Sequence, residues 1–157
     1  MKRILVKSVF DAFEYVMEHF YPNGQEEMAQ RTDTYAVISI QDTHTKGFGF
    51  KFNESQFCKD VLTLYFDDTV KEVDSAKLFD DEQANQIIDF IQSHKKDVDT
   101  LLVHCYGGQS RSRAVGAFAV KMFGGDNSKY FETGTPNEYV YDVLETVWIQ
   151  RMLRSDY

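Results

Sequence analysis

Leu101-Leu102-Val103-His104-Cys105-Tyr106-Gly107-Gly108-Gln109-Ser110-Arg111-Ser112 is an apolar run that breaks into a short uncharged loop and then opens an Ala/Val/Phe-rich stretch. The pattern predicts a strand, a loop the size of a small anion, and a helix from about Ser110 to Phe123 that is stopped by Gly124-Gly125. Between Cys105 and Arg111 lie only Tyr106, Gly107, Gly108, Gln109 and Ser110, all small or polar. In a loop of that kind successive backbone N–H groups can turn inward around a tetrahedral anion, and the dipole of the following helix adds positive potential. Phosphate is the natural guest. Cys105 sits at the floor, where the helix N-terminus, Arg111 and a neighbouring His104 are expected to favour a thiolate and so a nucleophile.

Working outward, Val61 to Phe66 reads as a strand, Gln83 to His94 as a helix with Ile87, Ile88 and Ile91 on one side, and Thr100 to His104 as the next strand. This βαβ unit makes its two strands parallel, so their carboxyl ends share one edge of the sheet, the edge at which open α/β sheets bind ligands. Asp67-Asp68, just past the first strand, is therefore expected to face the Cys105 loop.

Upstream, Arg3 to Val6 reads as a short strand, and Ser8 starts a helix carrying Phe10, Phe13, Met17 and Phe20 that ends at Tyr21-Pro22-Asn23-Gly24. Thr34 to Ile40 is a β-branched strand. Gln41 to Asp60 is a long connection with a short hairpin expected around Gly47-Phe48-Gly49-Phe50. Downstream, Thr135-Pro136-Asn137-Glu138 reads as a capping box opening a last helix with Val140, Leu144, Val147, Trp148 and Met152 inward. The expected fold class is α/β: one domain over residues 1–157, with a central, mostly parallel sheet of about four or five strands flanked by helices on both faces.

A net charge of −8 argues against a surface for nucleic acid, whose binders display basic stripes. The two cysteines, Cys58 and Cys105, form no Cys-x-x-Cys pair, and no histidine cluster has ligand spacing, so neither a disulfide framework nor a metal site is expected. Ile4-Leu5-Val6 is too short for a secretory core, and no stretch reaches membrane-spanning length. The expectation is a cytoplasmic monomer that binds neither nucleic acid nor membrane. His44 reads as a solvated loop residue and His94 as a cation at a helix C-terminus.

The order His-Cys-x5-Arg-Ser, from His104 to Ser112, resembles the signature of the cysteine-based protein tyrosine phosphatase superfamily, and the chain length resembles its small dual-specificity branch. The resemblance implies Cys105 as the phosphate-accepting nucleophile, Arg111 as the bidentate phosphate clamp, Ser112 as hydroxyl donor to the thiolate and His104 as the residue orienting the loop. Tyr106, Gly107, Gly108, Gln109 and Ser110, with Arg111, would bind the substrate phosphate. It also implies a general-acid aspartate in a loop some tens of residues earlier. Asp68 is the first choice and Asp67 the alternative. The implied substrate is a phosphorylated protein or small phosphomonoester, phosphotyrosine first with phosphoserine and phosphothreonine also admitted, handled without a cofactor in a shallow pocket. Two other readings share the loop: a phosphate-binding module without turnover, and an arsenate reductase or sulfurtransferase for which Cys58 would be the only further thiol.

Overall fold

The computed structural model describes residues 1–21, 31–44 and 51–155. The expected turn at 22–24 and the hairpin at 47–50 lie outside them. Four strands, β1 (Arg3–Ser8), β2 (Tyr35–Gln41), β3 (Cys58–Tyr65) and β4 (Thr100–Cys105), form one sheet in the order β1-β4-β2-β3, and every adjacent pair is parallel. The two central strands, Tyr-Ala-Val-Ile-Ser-Ile-Gln and Thr-Leu-Leu-Val-His-Cys, are buried at every position. A parallel strand covered on both faces requires such near-continuous apolar sequence.

Helices cover both faces. Helix α1 (Val9–Phe20) packs Ala12, Val16 and Phe20 against Tyr35, Val37 and Leu102 on one face. On the other, α2 (Asp81–His94), α3 (Arg111–Met122) and α5 (Glu138–Ser155) close over Ala36, Ile38, Leu101 and Val103, with Phe118, Leu144 and Ile87 among the residues between them. A single short turn of helix, α4 (Lys129–Glu132), not anticipated from the sequence, lies between α3 and α5.

The structure differs from the sequence pattern at the start of β3, which begins at Cys58 rather than Val61, in the phase of α1, and at the cap and outer end of α5. The buried stripe of α1 is Val9, Ala12, Val16 and Phe20, whereas Phe10 and Met17 are exposed. Ser8 caps the helix by accepting from Asp11 N, and the small Val9 and Ala12 are what fit closely against the sheet. The α5 cap is Asn137, whose Oδ1 accepts from Val140 N at 3.0 Å. The helical ladder starts at Asn137, whose carbonyl accepts from Tyr141 N, so Thr135 lies two residues outside the first turn. Met152, expected inward, is about half exposed at the outer end of α5.

Candidate active site

All four strands run the same way, so Ser8, Asp42, Phe66 and Tyr106 emerge together at the carboxyl edge. The loop after β4 is held there by its carbonyls. Cys105 O accepts from His104 Nδ1, Tyr106 O from Val9 N, Gln109 O from Thr135 N, and Ser110 O from both Ala114 N and Asn137 N. With those oxygens turned outward onto the scaffold, the loop amides are left on its concave side, around Cys105. One of them is seen in use: Gly108 N donates to Cys105 Sγ at 3.2 Å. Gly108 has φ +73°, and a Cβ there would come within 2.5 Å of Ser8 N, so the tight approach of loop to β1 requires glycine.

Ser112, fully buried on the first turn of α3, lies with Oγ 3.0 Å from Cys105 Sγ. Arg111, only 5% exposed, does not project freely into the loop. Its Nη1 donates to Asp42 Oδ1 at 2.5 Å and to Phe66 O at 2.9 Å, while its buried Nε has no partner among the described residues. A buried donor without a partner costs about 1–3 kcal/mol.

The two candidate aspartates are treated differently. Asp67 is buried and turned away from the loop, accepting from Thr43 N, Thr43 Oγ1 and Lys77 N, with His44 Nε2 at 3.8 Å. Burial alone raises its pKa, but these hydrogen bonds together outweigh it and leave the carboxyl below its ordinary range. Asp68 is exposed and faces the loop: its Oδ1 accepts from Ser110 Oγ at 2.7 Å and from Asn137 Nδ2 at 2.9 Å. Asn137 also donates to Thr69 O, so the α5 cap ties the Asp68 segment down on the phosphate loop.

His104 does not act on the thiol as a cation. Burial depresses its pKa to about 4, against the usual 6.5, and its contacts are Ser39 Oγ at Nε2, 2.7 Å, and Cys105 O at Nδ1. Gln41 Nε2 already donates to Ser39 Oγ, so the Ser39 hydroxyl proton turns to Nε2 and the imidazole proton sits on Nδ1. A histidine neutral in the fold and protonated when unfolded makes stability rise with pH between the two pKa values. Stability is therefore full above about pH 6.5 and falls by up to ~3 kcal/mol toward pH 4. Denaturant titrations at pH 7 and pH 5 test this; a His104→Gln variant should lose that part of the acid sensitivity, and an identical pH slope in both proteins would exclude it.

Cys58 begins β3 at the amino edge, in register with Tyr35, which pairs with Thr100. Cys105 is five residues further along β4, about 16 Å away along the strand direction alone, whereas a disulfide needs Cα atoms within about 7 Å. Burial also pushes the Cys58 thiol up to about 11. It is no shuttle for Cys105. His94 bonds Asp60 and Asp97, tying α2 to β3 far from the loop. Among the described residues no group of three or more His, Cys, Asp or Glu could hold a metal ion, and no helix is long and apolar enough to cross a membrane.

Sequence reading missed two residues of this site, Asp42 and the bridging role of Asn137. The only signal for Asp42 was its place one residue past a largely apolar strand of the same sheet.

No protein-family model and no curated protein sequence matches the chain. Among solved structures it is similar to PTPMT1 in complex with PI(5)P, at 14% identity over 98% of this chain and 94% of that one, with a TM-score of 0.56. It is similar to Tk-PTP in its active form, at 15% identity over 94% and 91% with a TM-score of 0.55. It also resembles human DUSP28, at 16% identity over 98% and 95% with a TM-score of 0.54. The likeness is one of fold: the chain has a dual-specificity-phosphatase-like α/β fold, a parallel sheet covered on both faces by helices.

Proposed function

We propose that the chain is a phosphomonoester hydrolase working through a phosphocysteine intermediate, with phosphorylated protein as its substrate. The observation that carries this is a buried pair of groups at one loop: a cysteine sulfur accepting a backbone N–H, and an arginine whose Nε lacks a partner among the described residues. In the first step Cys105 Sγ attacks phosphorus as the ester P–O bond breaks, and Asp68 gives its proton to the departing oxygen. The loop amides and Arg111 hold charge on the equatorial oxygens. In the second step Asp68, now a carboxylate, takes a proton from water, whose oxygen attacks phosphorus and releases the thiolate. Ser112 Oγ donates to that thiolate. Because Asp68 Oδ1 is taken by Ser110 and Asn137, the transferable proton belongs on Oδ2.

A protein substrate is supported by a groove of about 710 Å³ beside Asp68, walled by Val70, Lys71, Phe131 and Pro136, along which a peptide could run. An inositol-phosphate headgroup is disfavoured because Tyr106 to Ser110 carries no charge. The arsenate-reductase reading fails on the position of Cys58. The presence of both Cys105 and Arg111 favours turnover over the binding-module reading.

Hydrolysis of an aryl phosphate, with and without chelator, followed by matched phosphotyrosine and phosphothreonine peptides, tests the proposal. Activity indifferent to chelator is expected. A preference for tyrosine beyond about 10³, roughly 4 kcal/mol, would replace the shallow pocket with a deep, tyrosine-only one. No hydrolysis of any of them would refute the activity.

Asp42 enters the mechanism as a positioning residue for Arg111. Asp42→Asn keeps the shape but removes the charge, so kcat/KM is expected to fall by about tenfold to a hundredfold, with inhibition by inorganic phosphate weakened in parallel. An unchanged inhibition constant would mean that Phe66 O alone holds the guanidinium in place.

A further inference from the structure

Strand β1 is an edge of the sheet, and among the described residues no strand pairs with its outer side. Arg3 N donates to Asp99 O at 3.0 Å, the ladder bond for the Arg3 and Thr100 pair. In a parallel ladder alternate residues point their N–H and C=O to the same neighbour. Arg3, Leu5 and Lys7 therefore face β4, and Ile4 and Val6 present both backbone groups to the open edge.

That edge is not bare. Consecutive residues Met1 to Leu5 line one cavity of about 400 Å³, and Ile4 to Val6 line another of about 300 Å³ that shares Lys129 and Tyr130 with the first. Neighbouring residues of a strand point to opposite faces, so one cavity can touch all of them only by running alongside the backbone. The far wall comes from the end of α3 and from α4, including Val120, Phe123 and Tyr130. Although the chain carries a net charge of −8, no acidic residue lines either cavity, and Lys2, Arg3, Arg113 and Lys129 do. Arg113 is spent on Tyr130 O, Lys129 O and Thr133 Oγ1. Among the described residues the ion pairs of Lys2 and Arg3 are long ones, with Asp99 at 3.6 Å and Asp33 at 3.7 Å, and pairs of that kind to a solvent-exposed cation are worth little.

We infer that this groove is a docking site for an extended acidic segment of a partner protein, which adds as a strand to β1 through the Ile4 and Val6 backbone groups. Arg3, near Asp33, and Lys7, over the Tyr15 ring, lie on the α1 face of β1, whereas Ile4 and Val6 pack toward α3. The fitting sequence therefore alternates acidic with apolar residues. A second copy of this chain is a poor occupant, since it would bring Lys2, Arg3 and Lys7 against their own kind. The site lies apart from the Cys105 loop and does not depend on the proposed activity.

The experiment titrates a fluorescein-labelled Glu-Val-Glu-Val-Glu-Val peptide into the full chain by fluorescence polarisation, with a Lys-Val repeat as control and amide hydrogen exchange as the structural readout. Saturable binding that weakens with salt and slowed exchange at Ile4 and Val6 are expected. Lys2→Glu combined with Lys129→Glu should lower affinity by about tenfold or more without altering aryl phosphate hydrolysis. The inference is overturned by no binding up to about 1 mM. It is equally overturned by equal affinity for the Lys-Val control, by binding indifferent to the charge reversal, by protection elsewhere than β1, or by a dimer in sedimentation that holds the edge itself.

Discussion

Cys105→Ser will bind phosphate about as well as the parent chain and turn over aryl phosphate at least about 10⁴-fold more slowly, a loss of ~5 kcal/mol of transition-state stabilisation. The loop carbonyls that fix the cradle bond to Val9, Thr135, Asn137 and Ala114, none of which touches the sulfur, so the amides and Arg111 keep their places. The serine hydroxyl is smaller and is not ionised at neutral pH, and it cannot open the ester. Retained phosphate inhibition with lost turnover is the signature to look for. Residual activity within about tenfold of the parent chain would sink the phosphocysteine mechanism, whatever became of the fold.

Asp68→Asn carries the second largest expected effect, and its form matters more than its size. With a poor leaving group such as an alkyl or tyrosyl oxygen the rate should drop by about 10²- to 10⁴-fold, the usual worth of a positioned proton donor. With an activated nitrophenyl oxygen it should drop much less. Asparagine keeps the carbonyl that accepts from Ser110 and Asn137, so the segment stays in place and only the proton is lost. Asp67→Asn should behave otherwise: it weakens three hydrogen bonds that close the turn from Thr43 to Lys77, so its cost appears as stability, with no leaving-group dependence. If the leaving-group signature follows Asp67, the acid has been assigned to the wrong member of the pair.

The phosphate loop was readable because everything it needs is local. One strand, five uncharged residues and one helix start occupy a dozen consecutive positions, and the alternation of apolar and polar character shows where each begins. The βαβ unit from Val61 to Cys105 was readable for the same reason, since its crossover fixes strand direction and brings Asp67-Asp68 to the Cys105 edge. What escaped are relations between distant segments. Asp42 and Arg111 are 69 residues apart, and nothing in Gln41-Asp42-Thr43 separates a guanidinium clamp from an ordinary turn carboxylate. The phase of α1 escaped because two stripes share Phe20 and differ by one position. Steric fit against the sheet selected Val9 and Ala12, and left Phe10 on the surface to meet Tyr106 at the rim of the loop, ring centroids 5.9 Å apart. The α5 cap is Asn137 because the helix starts two residues later than the Thr135 pattern placed it, and the asparagine side chain also reaches Asp68 and Thr69 on a distant segment.

The distance between the two cysteines bears on how the chain would withstand oxidants. A peroxide that takes Cys105 to a sulfenic acid leaves it with no second thiol in reach, since Cys58 lies at the opposite edge of the sheet, buried and protonated. An internal disulfide, the usual shelter from further oxidation, is closed to this fold. The sulfenic acid must then be capped by a small external thiol or by a neighbouring backbone nitrogen; left uncapped, it passes to the sulfinic state, from which ordinary thiols do not bring it back. The recovery of this chain after oxidative stress is thus set by the thiol pool around it.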